Sequence, residues 1–256
     1  MRFHVLISLI VLLYACNAVN SLSAAVQKSP SEIFEMANQA YQNGSNKEAA
    51  ELYQALINQG YLNASLWYNL GNTYARTGKK GMALVMYERA RRLAPRDPDL
   101  LKNIEIISSS AGRKKSFILL RPFSDVLNYF TSNELFLSVE IFYALICIML
   151  IARLLKPSPF LYRFIGKMLK PAAIIFLAVF CLFAVKLYGE TVVISGIVIE
   201  DKTISRSGPG DEFTEIMALP ECTKFRLLEH QDNGWAKIQI PGGRTGFIPS
   251  PAFEII

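Results

Sequence analysis

The chain has 256 residues, a formal net charge of +6 and 52% aliphatic, aromatic and Cys residues against 19% charged ones. That length allows one large or two small domains, and the apolar excess, gathered near residues 3–15, 135–152 and 171–188, excludes an ordinary soluble protein with a single evenly distributed core. The basic residues cluster beside those runs, which points to membrane topology and away from nucleic-acid binding. Four cysteines without a C-x-x-C spacing give no zinc site, and the sequence implies neither a metal nor a cofactor.

Residues 1–25 read as a secretory signal or an uncleaved anchor. Arg2 supplies the positive start, and Val5 to Ala15 form an apolar core too short to span a bilayer. Cleavage could follow Ala18 or Ala25, and Leu13-Tyr14-Ala15-Cys16 is a weak lipoprotein site.

Residues 26–111 read as paired helices. Phe34, Ala37, Ala40 and Tyr41 recur at helical spacing, Gly44 breaks the run, and Ala49, Tyr53 and Leu56 mark the next helix. In residues 66–95, LWYNLGNTYARTGKKGMALVMYERARRLAP, the residues Trp67, Leu70, Gly71, Tyr74, Ala83, Tyr87, Ala90 and Pro95 follow the pattern W-x2-L-G-x2-Y, A-x3-F, P, with Tyr at the Phe position. This resembles a tetratricopeptide repeat, a helix–turn–helix protein-binding unit. Subtracting 34 gives a weaker copy: Gly71 maps to Ala37, Gly78 to Gly44, Ala83 to Ala49 and Tyr87 to Tyr53. Asp97-Pro98-Asp99 opens a fifth helix through Ile107, with Pro and acids at its positive end. Gly78-Lys79-Lys80 lacks the flanking residues of a phosphate loop and falls in the inter-helix turn.

Residues 112–134 form a juxtamembrane linker, in which PFSDVLNYF (122–130) could lie as a short helix on the membrane surface. Residues 135–152 are the first span candidate, with Glu140 either snorkelling or facing another helix. Residues 171–188 are the second, with Lys186 near its end. Between them, 153–170 carries Arg153, Lys156, Arg163, Lys167 and Lys170 and no acid, so it is expected to be a cytoplasmic loop. The expected fold class is therefore a multidomain membrane protein with both soluble modules on the outer side, which in a bacterium is the periplasmic side of the inner membrane.

Residues 189–256 turn to Val/Ile-rich segments punctuated by Ser207-Gly208-Pro209-Gly210, Asp232-Asn233-Gly234 and Pro241-Gly242-Gly243, a small all-β module. The order ISRSGPG, a Lys/Phe-bearing strand, NGWAKIQ and GRTGFIPS resembles bacterial Src-homology-3-like domains, which implies a small barrel. Arg206, Trp235 and Phe247 match that family pattern. Trp235 is either half-buried packing or one wall of a peptide or cell-wall groove.

No catalytic constellation is present: His4 and His230 belong to no triad, and there is no G-x-S-x-G, zinc helix or nucleotide loop. The expectation is a binding protein and not an enzyme. The repeat resemblance assigns groove positions to Phe34, Asn38 and Tyr41, to Tyr68, Asn72 and Arg76, and to Lys102 of the capping helix. An Asn amide in such a groove can hold a peptide backbone, and Asn72 and Arg76 are expected to sit opposite the core contacts. Equally, these could be ordinary solvated helix residues. The order of signal, repeats, two spans and β module resembles the BatE proteins of Bacteroides aerotolerance operons. That resemblance implies membrane-anchored von Willebrand factor A-domain proteins and a MoxR-type ATPase as partners, and a role in oxygen or envelope stress. The alternatives are a peptidoglycan-binding envelope protein with the repeats as spacers, and a transporter subunit, which two spans and one intramembrane carboxylate make a poor fit.

Overall fold

The computed structural model describes residues 28–110, 126–155, 158–240 and 242–256; the expected signal, with its Cys16 site, lies outside them. The chain divides into two compact units at Leu62/Asn63.

The first unit is the helical hairpin α1 (Pro30–Gln42) and α2 (Asn46–Asn58). Ser29 caps α1: its hydroxyl accepts from the Glu32 N–H, and the Glu32 carboxylate accepts in return from the Ser29 N–H at 2.7 Å. The backbone hydrogen bond holds the Glu32 carboxyl below the usual carboxylate range, and the Ser29 hydroxyl adds to it. Gly44 makes the turn with φ +82°. The two helices pack through Ala37, Ala40, Ala49, Tyr53 and Leu56, all buried.

The second unit begins with a hairpin of the same design, α3 (Ala64–Arg76) and α4 (Lys80–Leu93), with Gly78 at φ +80° in the turn. Asn63 caps α3 by accepting from Leu66 N–H at 2.8 Å. Then α5 (Pro98–Ser110) starts with Pro at its first position, its first-turn N–H groups bonded to Asp97 Oδ1. It packs against α4 and buries Leu100 and Ile107.

Residues 126–129 are helical, within the segment expected to lie along a membrane surface. Two long apolar helices follow, α6 (Ser132–Leu154) and α7 (Pro159–Thr191), with mean hydropathies of 2.5 and 2.4. They form an antiparallel pair, seen in the ring contacts Phe136–Phe183 and Tyr143–Phe176 at 5.9 and 6.5 Å. At about 1.5 Å per residue, each is long enough to cross a hydrocarbon layer of about 30 Å. The expected basic loop 153–170 is mostly helix instead. Pro159 occupies the first position of α7 with φ pre-set for it, and Arg163, Lys167 and Lys170 lie on its opening turns. Pro171, expected to begin the second span, lies inside the same helix.

The C-terminal module is one antiparallel sheet: β1 (Ser195–Val198), β2 (Thr203–Arg206), β3 (Glu215–Leu219), β4 (Lys224–His230), β5 (Trp235–Gln239), β6 (Thr245–Pro249) and β7 (Phe253–Ile255), ordered β3-β2-β6-β5-β4-β1-β7. Val198, Leu219, Phe225, Ala236, Ile238, Ile248 and Phe253 make its core. The expected barrel is not closed. Among the described residues the ladder ends at β3 and β7, and β7 is only three residues long with α4 packed against it.

Candidate protein-binding face and its attachment to the sheet

The strong hairpin is built around Tyr87. Its ring is 2% exposed, and a Cβ on Gly71 would stand 2.6 Å from it, so the bare glycine backbone lets α3 and α4 meet there. The Tyr87 hydroxyl donates to Asn72 Oδ1 at 2.7 Å, and the ring lies 5.9 Å from that of Tyr68. The first hairpin repeats these relations 34 residues earlier: Tyr53 OH donates to Asn38 Oδ1 at 2.7 Å and the Tyr53 ring lies 5.9 Å from that of Phe34.

Asn72 therefore does not simply face away from the core, as the sequence suggested. Its Oδ1 also accepts from Asn103 Nδ2 at 3.1 Å, and the same amide donates to Tyr68 OH at 3.2 Å. Tyr68, Asn72 and Asn103 form one polar cluster joining α3 to α5. Asn103 was missed in the sequence, where only its neighbour Lys102 was singled out. Arg76 and Lys102 are exposed on α3 and α5. Phe34, Asn38 and Tyr41 lie half-buried on α1. Trp235 is half-buried in β5 opposite Pro249, and its N–H donates to Asn233 Oδ1 in the preceding turn.

The family model for the tetratricopeptide repeat matches residues 64–97. The matched segment is α3, α4 and the residues after them, and such repeats generally mediate protein–protein contacts. No curated protein matches the chain.

In this repeat the other side of α4 is occupied by the sheet. Gly81 lies so close to β1 that a Cβ there would stand 2.6 Å from Ile199 Cα and 2.8 Å from Val198 O. Its N–H donates to Glu221 Oε1 at 2.6 Å. Lys79, at the N-cap of α4, makes no side-chain cap; Glu221 therefore supplies an anion to the helix's positive end from 140 residues further along the chain. At the other end of the contact Arg89 Nη2 lies 2.7 Å from Glu254 Oε1 and donates to Ile255 O, while its guanidinium stacks 5.1 Å over Trp67. The signature Trp67 is thus linked through one arginine to β7. The Ile255 carbonyl points away from β1 by the alternation of the ladder, since Ile256 N–H bonds Ser195 O, so Arg89 covers the sheet's outer edge. Glu88, 6% exposed, bonds Arg91 at 2.6 Å and lies 3.7 Å from Lys224 of β4. Burial pushes the Tyr74 phenol up, with the Glu254 carboxylate adding to the shift and Arg89 opposing it.

Gly81 was the one signal the sequence offered for this contact. A helical glycine costs about 0.5–1 kcal/mol relative to Ala and so calls for a reason, and the repeat pattern supplies none at that position.

Proposed function

We propose that the chain is a membrane-anchored interaction scaffold that holds its repeats and its β module together on the non-cytoplasmic side of a bacterial inner membrane. The attachment of α4 to β1 and β7 carries this reading. The residues between those contacts include both α6 and α7, so a chain that leaves through one apolar helix returns through the other, and both modules share one side. The basic residues at the α6–α7 turn support a cytoplasmic turn by the positive-inside bias. The sheet is read as an open relative of the Src-homology-3-like modules. The resemblance to BatE proteins suggests von Willebrand factor A-domain membrane proteins and a MoxR-type ATPase as partners. The role is binding, not catalysis.

Single cysteines at Ser109, Asp232 and Ser158, in a background with the native cysteines replaced, test the arrangement with a membrane-impermeant maleimide on spheroplasts. Labelling at Ser109 and Asp232 with protection of Ser158 is expected; labelling of Ser158 alone reverses the topology. Pull-down from detergent extracts should recover defined membrane proteins, whereas sedimentation with purified cell wall would favour a peptidoglycan-binding role.

A further inference from the structure

A cavity of about 220 Å³ lies where the end of α4, the 126–129 turn, the last turns of α7 and the sheet meet. That is room for roughly seven waters at about 30 Å³ each. Its charged lining is Arg91, Arg92, Lys186 and Lys224 against Glu88, Glu190 and the terminal carboxylate at Ile256, four cationic side chains to three carboxylates, an excess of one positive charge. The carboxylates are shared. Glu88 Oε2 serves both Arg91 and Lys224, at 2.6 and 3.7 Å. Glu190 lies 3.5 Å from Lys186 and also accepts from the Ser132 hydroxyl. Arg92 Nη2 donates to the terminal oxygen of Ile256 at 2.8 Å, and Lys186 Nζ donates to Leu127 O at 2.9 Å.

The location of this charge is what needs a reason. Arg91 and Arg92 favour the negative end of α4 on their own account, but Lys224 comes from a strand and Lys186 from inside the apolar run 171–188. The cavity lies at the end of α7 opposite to Arg163, Lys167 and Lys170, so the positive-inside bias works against cations here. It is also at the end of an apolar helix, the level that headgroup phosphates would occupy on the membrane reading above.

We propose that this cavity is a binding site for a phosphate-ester anion, which either a phospholipid headgroup or soluble phosphate could supply; the lipid source rests on the membrane reading above. Cations held in fixed positions around a small polar cavity offer charge-assisted hydrogen bonds to phosphate oxygens, and the anion would neutralise the excess charge shared by α4, α7 and β4.

The test uses the full chain purified in detergent. Native mass spectrometry with mixed micelles of phosphatidylglycerol or phosphatidylcholine should show about tenfold preferential retention of the anionic lipid, the scale of one charged hydrogen bond. Arg92→Gln with Lys224→Gln should abolish that preference, and Arg92→Lys with Lys224→Arg should keep it. Thermal stabilisation by millimolar inorganic phosphate without lipid preference supports the anion site and assigns it to soluble phosphate. Equal retention of both lipids by the wild-type chain, with no effect of inorganic phosphate, overturns the proposal. Alkaline carbonate extraction reports separately on the membrane reading: release of the chain from membranes overturns that reading and the lipid source with it, while the inorganic phosphate result still decides the anion site.

Discussion

Gly71 and Tyr87 share one space: a Cβ on the glycine would stand 2.6 Å from both Cδ1 and Cε1 of the ring. The ring is buried and its hydroxyl is tied to Asn72 at 2.7 Å, so it has little freedom to withdraw. Gly71→Leu should therefore overpack the α3–α4 contact and destabilise the repeats by about 1–3 kcal/mol. Thermal melting of the helical circular dichroism signal, with the full chain in detergent, checks this. An unchanged melting temperature would show that the two helices do not meet at Gly71.

Asn72→Ala removes the acceptor of a phenol that is 2% exposed. Losing that bond, together with the Asn103 bond to the same oxygen, should cost about 1–3 kcal/mol. Adding Tyr87→Phe should recover part of the loss, because removing both members of a hydrogen-bonded pair costs less than removing one. A double-mutant cycle on chemical unfolding measures the coupling, and a coupling indistinguishable from zero would mean the bond contributes nothing.

The helices were legible because their signals are local and periodic. Trp67, Leu70, Ala83 and Tyr87 fall where the repeat spacing puts core and are buried, as is Gly71, whereas Tyr74, expected in the same core, is only half-buried. Gly44 and Gly78, placed in turns by a common offset, both have the positive φ that glycine tolerates. The attachment of α4 to the sheet was not legible, since it pairs residues as far apart as Arg89 and Ile255, 166 positions on, and no spacing rule reaches that far. The site was read half-correctly for a related reason. Asn72 was recognised as a polar residue on the first helix of a pair, but the partners that engage it, Tyr87 and Asn103, lie on other helices. Continuation of α7 through Pro171 was missed because a proline inside a helical run reads as a boundary.

Gly81→Ala should loosen the repeat from the sheet. The new methyl meets the Ile199 and Val198 backbone, which cannot rotate away as a side chain can. A loss of about 1–3 kcal/mol is expected, with faster proteolysis between the modules. Glu221→Gln, which keeps the shape and removes the charge beside the α4 N-terminus, should cost less, about 0.3–1 kcal/mol. If Gly81→Ala leaves protease resistance as it was, the close approach to Ile199 is not maintained in solution.

Exposed Arg76 and Lys102 are the better recognition test, because neither holds the Tyr68–Asn72–Asn103 cluster together through the bonds described above. Alanine at both should weaken partner capture by about 1.5–3 kcal/mol per charged hydrogen bond lost and leave the melting temperature within about a degree. Undiminished capture would move the binding face off α3 and α5.

Glu32 gives the first hairpin a pH dependence of defined sign. Its folded carboxyl is held low by Ser29, with Lys28 contributing in the same direction. The cap's stabilisation is therefore present above the unfolded carboxylate range and fades as pH falls through the folded value. Amide protection factors at the start of α1, corrected for the intrinsic slowing of exchange in acid, should fall on acidification, and Glu32→Gln should remove that fall.

The contact between Gly81 and Glu221 spans 140 residues, and that distance is also a delay. At about 5–20 residues per second of synthesis, roughly 7–28 s separate the two partners' emergence. During that interval α4 presents Gly81, Glu88 and Arg89 without the strands that will cover them, while both apolar helices still have to be made. The repeat is thus completed by strands made well after it. A product truncated ahead of β1 would carry an uncovered α4 surface, distinguishing unfinished chains from finished ones for any chaperone or protease that meets the repeats.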